Sequence, residues 1–94
     1  MTREVLQAIL RGAKGSSEKS GGVFQFESEH RASLHLGQDG WAIVVQEVES
    51  VKLNDAYLCI TSRELGEVSS AYESVQAVVV KPPKESGPKK TGFA

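Results

Sequence analysis

Ninety-four residues, 39% of them apolar and 24% charged, are one domain's worth of ordinary globular chain. The single cysteine, Cys59, excludes an intramolecular disulfide, and with His30 and His35 it falls short of the four ligands a structural zinc site normally needs. Residues 1–80 carry seven basic against eleven acidic side chains, a net −4, while residues 81–94 set Lys81, Lys84, Lys89 and Lys90 against Glu85, a net +3, and an acidic body with a short basic tail lacks the basic stripe of a nucleic-acid-binding domain.

Residues 3–13 read as an amphipathic helix. Val5, Leu6, Ile9, Leu10 and Ala13 form one apolar stripe, with Arg3, Gln7, Arg11 and Lys14 opposite. Thr2 is the expected N-cap, Glu4 suits the positive end of the helix dipole, and Gly12 or Gly15 can end the helix. Glu4 and Gln7 interrupt the apolar run, so a signal peptide is not expected. No stretch approaches the ~18–20 apolar residues of a membrane span. The expected location is cytoplasmic. Residues 14–22, KGSSEKSGG, have no apolar anchor and are expected to be a flexible linker within the domain.

From residue 23 the period drops to two. Phe24 and Phe26 share one face of a first strand, and Ala32, Leu34 and Leu36 one face of a second, with SEHR as a hairpin loop between them. Asp39-Gly40 is the strongest hairpin signal in the chain. In WAIVVQEVESVKL the buried face changes partway, because Glu47 and Glu49 interrupt the face of Trp41, Ile43 and Val45. A bulge or bend is therefore expected near Val45–Glu47. Asn54-Asp55 is the next turn, and AYLCI, apolar on both sides, reads as a central strand covered on both faces. Over 62–74, Leu65, Val68, Tyr72 and Val75 recur at helical spacing and Thr61 with Glu64 could form a capping box. A second helix is preferred there to a two-strand excursion, although Gly66, Ser69 and Ser70 weaken it. VQAVVV is the last strand, ended by Pro82-Pro83. The domain is expected to span 1–80, and the Pro/Lys tail over 81–94 to be disordered.

The expected fold is α+β: the N-terminal helix packed on a curled, mainly antiparallel sheet of about five strands, a small roll or partly open barrel. The predicted core is Val5, Leu6, Ile9, Leu10, Phe24, Phe26, Leu34, Leu36, Trp41, Ile43, Val45, Leu58, Ile60, Val78 and Val80. Trp41 belongs to that list because it alternates with β-branched neighbours.

The chain shows no assembled chemistry. His30 and His35 lie an odd number of residues apart, so on one strand they would face opposite ways, even with Glu27 and Glu29 nearby. Cys59 sits in apolar YLCI and reads as a small core residue. Glu47 and Glu49 share one face and read as solvent-facing or edge charges rather than an acid–base pair. GAKG and KSGG lack the Walker spacing. No enzyme activity, cofactor, metal or small molecule is expected. The expected function is a non-catalytic protein–protein interaction or assembly module, homo-oligomeric, with Phe93, Lys84, Lys89, Lys90, Glu47 and Glu49 as candidate partner-binding residues.

Two resemblances supply alternatives. The helix followed by curled strands, Asp39-Gly40 at the first tight turn and Tyr72 before the last strand resembles the Sm-like fold, which implies a ring-forming barrel that binds RNA. Here DAYLC stands where that family has Asn after its Asp, and Glu73 and Ser74 follow Tyr72 where it has basic residues. ITSREL followed by YESVQAVVV is similar to the paired strands of bacterial pleckstrin-like domains, which implies an adaptor or small ligand-binding role, although that family ends in a helix.

Overall fold

The computed structural model describes residues 1–81. Its single α-helix, α1 (Arg3–Gly12), is followed by eight strands: β1 (Ser16–Lys19), β2 (Val23–Phe26), β3 (Arg31–Gln38), β4 (Trp41–Val45), β5 (Val48–Leu53), β6 (Tyr57–Ser62), β7 (Gly66–Ala71) and β8 (Val75–Lys81). A short 3₁₀ turn, Tyr72–Ser74, precedes the last strand. The molecule is a small α+β domain, and every strand pairing is antiparallel. The strands form two sheets, β1-β2-β5-β6-β7 and β4-β3-β8, neither of which closes on itself. The sheet count therefore corrects the expectation of one five-stranded sheet, and the described residues form no closed barrel of the kind the Sm-like resemblance implied.

Thr2 caps α1 as expected, its hydroxyl accepting from Val5 N–H at 3.2 Å. At the other end the single hydroxyl proton of Ser16 is shared between the Leu10 and Ala13 carbonyls at 2.6 and 3.0 Å, adding to the bonds they accept from Ala13 and Ser16 N–H. Arg11 holds Glu18 through two bonds of 2.9 and 3.2 Å. Residues 14–22 are thus no plain linker. They contain β1, which pairs with β2 although SSEK has no apolar residue, because β2 offers it an open edge and Gly21 and Gly22, both at positive φ, close the turn.

SEHR is not a hairpin loop, since β2 and β3 lie in different sheets. Leu6 and Leu10 of α1 join Phe24, Phe26, Val51, Leu58 and Ile60 of the larger sheet and Ala32, Leu34, Leu36 and Val45 of the smaller one in a single core. Val5 and Ile9, expected in that core, lie exposed beside it, because the apolar stripe of α1 is wider than the surface it contacts. Val78 and Val80 are only partly buried. β6 is central within its sheet but buried on one face: Leu58 and Ile60 point in, whereas Tyr57 is exposed and Cys59 half-buried.

The expected second helix over 62–74 is a β-hairpin followed by the 3₁₀ turn. Gly66 takes φ +84° opposite Ser62, and β7 completes the open edge of β6. Leu65, the first residue of the helical spacing, lies exposed at the hairpin tip. Helical propensity weakened by Gly66 and two serines loses to the backbone bonds of β6.

The break read in WAIVVQEV is larger than a bend. At Gln46-Glu47 the chain leaves the smaller sheet and enters the larger one, and Glu47 makes the crossing at φ +55°, the one positive φ outside glycine among the described residues. Left-handed backbone costs an L-residue about 1–2 kcal/mol. Glu47→Gly removes that strain and one exposed ion pair worth at most about 1 kcal/mol. It is expected to leave the midpoint of thermal unfolding within ~5 °C of the parent, whereas Glu47→Val, which adds a β-branched side chain at the same φ, lowers it by a larger margin. Calorimetry of the two variants checks this.

Candidate functional site: an open apolar edge on the smaller sheet

Four strands border the two sheets, and three of them carry charge: SSEK, GEVSSA and VQAVVVK. The fourth, β4, is WAIVV, with no charged side chain and no proline. Trp41, Ile43 and Val44 leave 47%, 41% and 40% of their surfaces open, and Ala42 is exposed between them; only Val45 is buried. Trp41 and Ile43 therefore correct the predicted core. They do alternate with Val45 on one face, but that face runs past the layer that covers Leu34 and Leu36, so the pattern is real and the burial is missing.

The register defines the edge. β3 and β4 pair Leu34 with Val45, His35 with Val44, Leu36 with Ile43, Gly37 with Ala42 and Gln38 with Trp41. The two-residue loop Asp39-Gly40 makes Gln38 and Trp41 the hydrogen-bonded closing pair, so alternation turns the backbone groups of Trp41, Ile43 and Val45 toward β3. The N–H and C=O of Ala42 and Val44 point out from the edge. Gly40 sits at φ +89°, which the tight turn requires.

On the outer face a shallow concavity of about 560 Å³ lies over His35, Gly37, Ala42 and Val44, with Gln76 at its rim. Gly37 and Ala42 stand opposite each other on its floor, and a Cβ on Gly37 would come within 3.2 Å of the Trp41 carbonyl and 3.5 Å of Ala42. Gln76 donates to the Gly37 carbonyl at 2.8 Å, and Gln38 donates to Ser74 Oγ at 2.8 Å, so the β3 side of the tip is tied to β8 and the turn before it. Among the described residues β4 pairs only with β3, which leaves one edge and most of both faces open.

Glu47 and Glu49 sit past the end of β4. Arg63 bridges them, Nη1 to Glu47 at 3.2 Å and Nε to Glu49 at 3.2 Å, all three exposed. Arg63 N–H also donates to the Glu47 carbonyl at 2.8 Å. The two carboxylates are therefore one ion cluster beside the open edge. Phe93, Lys84, Lys89 and Lys90 lie outside the described residues. His30 and His35 are apart: His30 packs on Gly15 at the larger sheet, and His35 lies on the outer face of the smaller one. Burial, with Glu67 alongside, pushes the Cys59 thiol above its ordinary pKa, so it is held as the weakly nucleophilic thiol. Among the described residues no three His, Cys, Asp or Glu side chains are grouped to hold a metal ion, and no helix is long and apolar enough to cross a membrane.

Composition alone gave no sign that β4 would be a border strand. The available signal was the absence of charge between Asp39 and Glu47 on a strand that follows a tight turn. Comparison with family models, curated proteins and solved structures finds no match to this chain.

Proposed function

We propose that this domain is a non-catalytic protein–protein interaction module that assembles with copies of itself through the β4 edge. The observation that carries the reading is the uncharged strand WAIVV, exposed at its first four residues, whose backbone donors and acceptors at Ala42 and Val44 have no strand partner among the described residues. Natural sheets block such edges with charge, proline or cover, and the other three border strands here carry charge. A small domain also gains stability margin by covering apolar surface against a second chain.

Sedimentation velocity from about 10 µM to about 1 mM tests the reading, in the range expected of a small interface. The parent chain is expected to shift from monomer toward an assembled species. Val44→Lys, which places a charge on the edge, is expected to weaken that association at least about tenfold while leaving the unfolding midpoint nearly unchanged. A parent chain that stays monomeric throughout, or a Val44→Lys variant that associates as well as the parent, overturns it.

A further inference from the structure

We infer that the assembly is a two-fold dimer in which β4 pairs antiparallel with β4 of a second copy, centred on Ile43, so that two three-stranded sheets become one of six strands. This rests on the assembly reading above and adds the occupant and the register.

The partner strand must use the groups the edge leaves open, at Ala42 and Val44. Antiparallel pairing by a two-fold axis offers few ways to do so. Centring on Ile43 pairs Ala42 of each copy with Val44 of the other, each pair exchanging two N–H···O=C bonds. Ile43 then meets Ile43 in the intervening wide pair, and Trp41 meets Val45. This register alone maps residues 41–45 onto themselves. Centring on Val44 would set Trp41 against Glu47, and centring on Ala42 would set Asp39 against Val45, a charge against apolar surface in each case. Centring on Ile43 keeps both charges outside residues 41–45, where Asp39 faces Glu47 and their like charges weaken the pairing further. The apolar strand is therefore self-complementary at one register. A two-fold axis also closes the assembly, because both open β4 edges are consumed.

The area sets the strength. The open surface per copy is confined to four residues, 47%, 41% and 40% of Trp41, Ile43 and Val44 with Ala42, against the roughly 20–30 residues a side of a standard interface. The dimer is accordingly weak and concentration-dependent.

Cross-linking reads the register. In a Cys59→Ser background, Ile43→Cys, Val44→Cys and Ala42→Cys are each oxidised mildly at a concentration where sedimentation of that background shows association. Wide antiparallel pairs bring Cα atoms to about 4.5 Å, within disulfide reach, whereas a residue at 42 or 44 is two positions out of step with its own copy. The Ile43→Cys chain is expected to form disulfide dimer at least ~5-fold faster than the other two. The parent chain gives a second readout without substitution: Trp41, the single tryptophan and 47% exposed, is expected to shift its emission to the blue as concentration rises and the second copy's strand covers part of it. Faster cross-linking at Val44 or Ala42, growth into assemblies larger than a dimer, or association without an emission shift overturns this register and leaves the assembly reading standing. A parent chain that never associates overturns both.

Discussion

Gly15→Ala is expected to destabilise the domain by about 2–4 kcal/mol, lowering the unfolding midpoint by at least ~10 °C. Two separate effects add at this position. Gly15 holds φ +81°, which an alanine adopts only with strain. A Cβ there would also lie 2.5 Å from Cγ and Nδ1 of the His30 ring. The ring cannot step aside cheaply. It is largely buried, and its backbone is fixed by His30 N–H donating to the Glu27 carbonyl at 3.0 Å, while Glu27 N–H donates to the Gly15 carbonyl at 2.8 Å. Glu27 Oε1 lies 3.2 Å from His30 Nδ1 but outside hydrogen-bonding alignment, so that buried nitrogen has no partner. The two contributions separate in a double-mutant cycle. In a His30→Ala background, Gly15→Ala keeps the backbone strain and loses the clash, so its effect should fall to about 1–2 kcal/mol. An unchanged effect in that background would show that the ring is not the obstacle.

Ser62→Ala is expected to cost about 2–3 kcal/mol, far more than its single lost oxygen suggests. Ser62 is buried, and its hydroxyl donates to the Gln46 carbonyl at 2.6 Å while accepting from Glu64 N–H at 3.1 Å and Leu65 N–H at 3.0 Å. Alanine leaves three backbone groups without that partner at once. These bonds join the turn between β6 and β7 to the crossing between β4 and β5, and Arg63 adds its own bond to the Glu47 carbonyl beside them. The loss should appear as a lower urea midpoint and as faster amide exchange at Glu64 and Leu65. Because the crossing anchors the end of β4 where the chain passes from the smaller sheet into the larger one, the variant should also loosen the edge strand and weaken association. Normal stability in Ser62→Ala would show that the hydroxyl is dispensable.

What could be read without coordinates lay in short-range chemistry. Thr2 as N-cap, the stripe holding Leu6 and Leu10, the Asp39-Gly40 turn and the break at Gln46-Glu47 each depend on residues within a few positions of one another. The Glu47–Glu49 pair was visible too, but Arg63, which bridges it, lies sixteen and fourteen residues away with no local mark of the connection.

Other features were decided by partners distant in the chain. SSEK becomes a strand because β2 offers it an edge, and residues 66–71 become a strand because β6 does. Trp41 shows the same division at one residue. Its alternation with Ile43 and Val45 was written in the sequence, as was the turn that starts their strand. Whether that face met a covering layer was not. Periodicity states which side chains share a face, whereas burial depends on what the rest of the chain lays against it, and here the second sheet and the helix cover Leu34, Leu36 and Val45 but stop short of Ile43 and Trp41.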